Sequence, residues 1–580
     1  MKKYLIPALL IFCLIFFNSC KTKQTADRTI TDKGGKKITQ EQEIQNTALF
    51  LDGVREKELG NPDKAMGLFA QCIKQNPEAD AAMYELAMLK YMDKKYSEAL
   101  PLAKNAAKLK PDNKWYSLLL AETYIAQKDY SNAEKVYKII TEKNPDETEY
   151  FIDWADIYIM SGNYSEAVKV YNVVEKKQGI QPETSIQKQK LYLQMGKLSK
   201  AIEEMELLIA AFPKESQYLG MLAELYMSNS MPVKAYELYQ RVIKINPDDP
   251  YVHLSLADYY RMQKETAKVI EELKLALSNK ELDIDAKVKV LLSLMDLGPR
   301  MSEYKDALPE LGRLVTESSP DEAKAFSVYG DILSNNKQYK EAREAYHQVV
   351  ELDSSKYIIW QQLILLDSEL NDNANLLSDS KKAMDLFPEQ AEPYFFYGIA
   401  QLRSKNYKEA IRALNNGKSF VNNDDTLLLK YLSTLGDCYY KNQNYDLAFE
   451  AYEKSLSIDP NNAYVLNNYS YYLALQNQNL SRAQQLAERL NSQNPGVYMY
   501  QDTYAWVYYK QKDYTNAKKW VEKALAAGGD VDAGILDHYG DILYQNNETE
   551  KALTYWNKAK AAGMKTEILD KKITDKKLYE

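Results

Sequence analysis

Histidine is nearly missing from this chain. The three in 580 residues, His253, His347 and His538, lie far apart in sequence. A lone histidine on a helical surface is more often structural than a ligand. No HExxH, CxxC or GxSxG occurs, and no phosphate-cradling GxxxxGK[ST] or GxGxxG. The sequence therefore offers no catalytic residue, no metal site and no cofactor site, and reads as non-enzymatic. Cysteine is almost as scarce. Of Cys13, Cys20, Cys72 and Cys438, the last two are widely separated and sit at helical packing positions. They imply buried free thiols and no disulfide framework. Basic residues are too few to balance the acids: residues 41–580 carry a net charge of −14. That excludes the basic face a nucleic-acid partner requires. Glycine (21) and proline (18) are few, in keeping with a soluble helical protein.

What is present is a period. Alanine recurs at Ala65, Ala99, Ala133, Ala167, Ala201 and Ala235, always 34 residues on, and Val269 takes the next step. Such a period signals stacked supersecondary units rather than ordinary globular domains. Within each copy the apolar residues fall at i, i+3, i+4 and i+7, the helical spacing. A short polar turn such as Gln127-Lys128-Asp129 divides two helices, A and B. A proline often closes the copy, as at Pro77, Pro111, Pro145, Pro213, Pro247, Pro388, Pro460 and Pro495, because it cannot continue a helix.

Residues 216–249, with Leu222-Ala223, Tyr226, Ala235, Tyr239 and Pro247, resemble the tetratricopeptide repeat (TPR). So do residues 429–462, with Leu435-Gly436, Tyr439, Ala448, Tyr452 and Pro460. The resemblance implies an all-α TPR solenoid of about fifteen helix-turn-helix copies, in which the small residue of helix A faces the alanine of helix B. Seven copies run in phase over 46–283. A four-residue insertion precedes four copies over 284–424, and another precedes four over 425–566. Residues 567–580 read as a polar capping helix, which a solenoid needs at its open end. Copy 357–390 matches least well, with Leu376 at the alanine position. Pro101 and Pro309 fall inside helix B, so those helices either kink or begin late.

The N-terminus is a different text. Lys2 and Lys3 precede an apolar run from Leu5 to Phe17, broken by Pro7. The run is short for a membrane span and suited to a signal peptide. It ends Phe17-Asn18-Ser19-Cys20, which resembles the lipobox of bacterial lipoproteins, although Phe17 and Asn18 depart from the usual box. The resemblance implies a leader over 1–19, acylation of Cys20 and, with Lys21 in place of Asp, an outer-membrane address facing the periplasm. Residues 21–40 hold six basic and two acidic residues and read, within 20–45, as a flexible tether suited to anionic head groups.

Candidate binding residues follow from register. The residue after the small position of helix A is acidic in eight copies: Glu122, Asp156, Glu224, Asp258, Asp296, Asp331, Asp437 and Asp541. By the resemblance this position faces the groove. It forms either an acidic ladder for a basic or amine-bearing segment, or a family habit in which the acid bonds a neighbouring helix. Tyr472, Trp506, Tyr509 and Tyr544 are the aromatic candidates for a C-terminal groove. Asn467 and Asn468 lack the basic partners of the family's carboxylate clamp. The expected function is a protein-protein interaction scaffold, lipid-anchored, binding one or more proteins or peptide segments and no nucleic acid. Two jobs fit: a subunit of an envelope assembly such as a secretion or motility machine, or an adaptor for cell-wall or outer-membrane enzymes. A small-ligand carrier or enzyme is the alternative from another class.

Overall fold

The computed structural model describes residues 29–31, 37–296 and 303–579. Among these are 31 α-helices. They form fifteen consecutive A–B pairs and a final single helix, Glu567–Asp575. Helix A is typically 13 residues and helix B 14, as in Lys114–Ala126 and Tyr130–Lys143. The periodic alanines explain the pairing. Ala65, Ala99, Ala133, Ala167, Ala201, Ala235 and Val269 are all fully buried, and so is Leu376 in the atypical copy. Cys72 and Cys438 are buried free thiols, and burial pushes Cys438 up to about 12.

The turn between A and B is a second regularity. One residue there takes a left-handed conformation in copy after copy, as at Gly162 and Gly196, but more often at a lysine such as Lys94, Lys128 or Lys264. A left-handed residue reverses the chain within the turn, and side-chain-bearing residues adopt it only at a cost of about 1–2 kcal/mol.

Several expectations are refined. The first helix begins at Gln40 and runs to Glu58, earlier than position 46. Within the expected tether, Thr29–Thr31 pairs antiparallel with Lys37–Thr39. Both triplets are rich in β-branched residues, which favour extended backbone. Residues 1–28, including the leader and Cys20, lie outside the described residues. The insertion at 425–428 lengthens a helix A to 17 residues, Asp425–Lys441, close to one added turn. The two prolines behave differently: Pro101 is contained in Tyr96–Leu109, whereas Pro309 sits in the first turn of a helix that begins late, Leu308–Ser318.

The chain divides into two compact units, Met1–Pro247 and Asp248–Glu580. The first contains a buried charge triad. Lys188 of Pro182–Gln194 lies between Glu175 of Tyr164–Gln178 and Glu204 of Leu198–Ala211, with Glu204 at 2.8 Å. Burial works against the Lys188 charge, but the two carboxylates outweigh it and raise its pKa. In the second unit, one hydrophobic core runs without a break from Ala448 to Leu569.

Candidate interaction face

The position-8 notch of helix A shows how each copy closes. The resemblance places the helix-B alanine opposite this small residue; the structure places an aromatic ring there instead. A Cβ on Gly436 would stand 2.4 Å from the Tyr452 ring, on Gly540 2.4 Å from Trp556, and on Gly330 2.6 Å from Tyr346. In each case the ring comes from 16 residues downstream. A ring is the larger filler, and the absent side chain makes room for it.

The same ring then decides the fate of the acid beside the notch. Tyr171 donates to Asp156 (3.2 Å), Tyr346 to Asp331 (2.6 Å), Tyr452 to Asp437 (2.5 Å), and the Trp556 indole N–H to Asp541 (2.8 Å). All four pairs are separated by 15 residues. Burial raises the Asp331 and Asp437 carboxyls, while the donated phenol hydrogen bonds oppose the rise. These acids are internal clamps of their own repeat. Asp258 and Asp296 have leucine 15 residues on (Leu273, Leu311) and remain exposed, Asp258 pairing with Arg261 at 2.6 Å. Glu224 is also exposed. The ladder of eight thus comprises clamping acids and outward acids.

In the last four copies a polar chain links successive A helices. Asp437 also accepts from Tyr464 (2.5 Å) and Asn468 (3.3 Å), and Thr503 donates to Asn467 (2.8 Å). His538 meets Asp502 at 3.0 Å. Burial opposes charge on His538, yet Asp502, with Asp541 and Asp537, raises its pKa. Lys572 of the final helix closes the chain on Asp541 (2.6 Å) and Asp537 (3.0 Å). The aromatic candidates are packed into this face. Tyr472 stacks on Tyr440 at 3.7 Å, and Trp506 lies against Tyr509 (4.6 Å) and His538 (4.0 Å). Tyr544 leans on Trp556 at 5.8 Å. Asn467 and Asn468 are both engaged, as a carboxylate clamp would not allow.

The first unit presents a different arrangement. Glu122 of Lys114–Ala126 and Asp153 and Asp156 of Thr148–Met160 share one face of adjacent A helices. Solvent reaches all three side chains, yet flanking helices crowd out part of the surrounding water. That desolvation raises all three carboxyls; Asp153 adds to the rise at Glu122, and Asp156 to that at Asp153. Their polar contacts are phenolic: Tyr137 to Asp153 (3.4 Å) and Tyr171 to Asp156. No lysine or arginine pairs with any of them among the described residues. Sequence register missed Asp153, which stands three positions before the ladder residue; acids at two heights of one helix face were the available signal.

Tetratricopeptide repeat models match residues 53–114, 90–151, 190–250, 323–356, 429–462 and 502–527. The chain belongs to the tetratricopeptide repeat family. This TPR chain is 22% identical over 202 residues to protein O-mannosyl-transferase TMTC3 of Homo sapiens, covering 33% of this chain and 22% of that protein. The matched stretch thus spans about a fifth of that relative's length. Similar solved structures include the APC/C hetero-tetramer Cut9-Hcn1, at 12% identity and TM-score 0.36, covering 92% of this chain and 96% of that one. A TPR protein from Parabacteroides merdae is 14% identical with TM-score 0.36, covering 44% and 98%. Yeast Tom70 is 15% identical with TM-score 0.32, covering 75% and 95%. TPR repeats support protein-protein interaction as the role of the array.

Proposed function

We propose that this TPR protein is a non-enzymatic scaffold that captures a lysine- or arginine-bearing segment of a partner on the face formed by Glu122, Asp153 and Asp156. One observation carries the reading: three solvent-reached carboxylates crowd together, each with a raised pKa and none with a cationic partner. A bound ammonium or guanidinium relieves that repulsion, and charge complementarity of this kind supplies specificity and on-rate. The clamping acids Asp331, Asp437 and Asp541 are already committed within their own repeats and serve this purpose less well.

The triple variant Glu122→Gln, Asp153→Asn, Asp156→Asn tests the site. Three surface ion pairs at about 0.5 kcal/mol each correspond to about tenfold in affinity. Binding of a fluorescent lysine-rich peptide should weaken by that factor and lose most of its salt dependence. Carboxyls raised on folding disfavour their charged form in the folded state, so the neutral variant should melt no lower than wild type. Unchanged peptide affinity in a folded triple variant would remove this face from consideration.

We further propose that Cys20 is acylated and that the array faces the periplasm from the outer membrane, as a subunit or adaptor of an envelope assembly. The lipobox-like Phe17-Asn18-Ser19-Cys20 and the basic residues after it support this, because a tether with an acyl anchor and a basic stretch engages membranes twice. Metabolic labelling with an alkyne fatty acid should tag the wild-type chain and fail on Cys20→Ala, which should leave the membrane fraction. Equal labelling of both would refute the anchor.

A further inference from the structure

The copy that departs most from the repeat pattern contains the densest buried charge in the second unit. Asp367 of Tyr357–Glu369 is fully buried, and Asp379 of Asn373–Leu386 is 2% exposed. Arg343 of Tyr339–Leu352, the preceding helix B, pairs with Asp367 and reaches Asp379 at 3.8 Å. One turn further along that helix, the His347 Nε2 stands 2.9 Å from Asp379. Three consecutive helices therefore meet at four ionisable side chains. Lys382 touches the cluster only from its solvent edge, 3.9 Å from Asp379. Asp372, at the N-cap of Asn373–Leu386, also lies within the field of Arg343. Glu351 and Asp385 line the surface cleft onto which His347 opens. No charged side chain of the following helix, Ala391–Arg403, pairs with either carboxylate among the described residues.

Counting charge at this joint leads to a definite consequence. One guanidinium faces two buried carboxylates, which leaves one negative charge in excess where water is excluded. A single proton, on a carboxyl or on the His347 imidazole, neutralises the cluster. Burying uncompensated charge costs several kcal/mol, whereas the unfolded segment leaves both aspartates free to ionise in water.

We infer that the Arg343–Asp367–Asp379–His347 cluster is a proton-holding joint, which tightens copy 357–390 on acidification and loosens it as the pH rises. The Asp367 carboxyl shows the required direction. Burial pushes it from 3.8 to about 6, against the opposing pull of Arg343. A carboxyl raised on folding contributes stability that is present below its unfolded value and lost as the pH climbs through its folded one. The window is therefore about pH 4 to pH 6, and a shift from pH 7 to pH 5 strengthens the joint. This is opposite in sign to an ordinary salt-bridged aspartate. In a solenoid such a change stays near its own copy, so the array acquires a local, pH-set stiffness between the repeats on either side.

Hydrogen exchange of the full chain, read by mass spectrometry at pH 5 and pH 7 and corrected for intrinsic exchange rates, tests this. Amides of 357–386 should gain about tenfold in protection at pH 5 relative to pH 7, while those of the repeat over 216–245 should change less than twofold. In Asp367→Asn the pH 7 protection of this copy should rise to its pH 5 level and the pH dependence should flatten. If that variant fails to fold, the wild-type comparison decides alone. Equal corrected protection of 357–386 at the two pH values, or the same pH ratio in a folded Asp367→Asn chain, overturns the proposal.

Discussion

Lys188→Ala is expected to open the copies around residues 164–211 at a cost of about 3–5 kcal/mol. Lys188 is 3% exposed and Glu204 is 4% exposed. Removing the ammonium leaves Glu204 with a buried charge that must either stay uncompensated or take up a proton. Either outcome costs more than the ion pair itself contributes, because two desolvated charges held in good geometry are close to neutral in net stability. Exchange protection across 164–211 should therefore collapse, while amides of 429–475 should keep theirs. The double variant Lys188→Met, Glu204→Met should recover most of the loss by exchanging the pair for apolar packing. A cost below about 1 kcal/mol for Lys188→Ala would show that water reaches the triad and that the burial described above is wrong.

Trp556→Ala is expected to be almost as damaging, at about 3–5 kcal/mol for emptying a fully buried aromatic site. The ring fills the notch over Gly540 and its indole N–H donates to Asp541, so the alanine variant removes packing and a donor together. Trp556→Phe separates the two. It keeps most of the ring in the notch and strips only the hydrogen bond, for about 1–3 kcal/mol. The order wild type, Phe, Ala should appear in the protection of Ala533–Gln545 and in the rate of proteolytic loss of the C-terminal copies. Equal stability of the phenylalanine and wild-type chains would mean that Lys572 alone satisfies Asp541.

How far the sequence reaches is clear from particular positions. The alanines at 34-residue spacing all lie in the core, because a repeated small residue can only mean repeated close packing. The fifteen pairs follow from it. The acids beside the notch look alike in sequence, yet Asp331 and Asp258 have different environments. The difference is set fifteen residues later, by Tyr346 in one case and Leu273 in the other. Reading the acid together with that downstream residue would have separated them. Lys188 could not be recognised in this way. Nothing in a lysine among glutamines announces burial, since its two carboxylates come from the helices before and after it. Asp153 was hidden for a simpler reason: it lies outside the repeat register that exposed the ladder. Pro101 and Pro309 occupy equivalent positions, and only the tertiary context sends one into the helix and the other to its start.

The unbroken core from Ala448 to Leu569 bears on how the molecule carries load. Elsewhere the buried residues group into clusters of about a repeat or two, such as Ala65 to Leu89 and Phe151 to Leu191. A chain held at Cys20 and pulled by a partner would yield first at such small clusters, each releasing slack in a separate step. The C-terminal copies, knit by shared aromatics and by the polar chain from Asp437 to Lys572, would part together and last. The protein is in that sense a graded spring, compliant near its proposed anchor and firm at its far end.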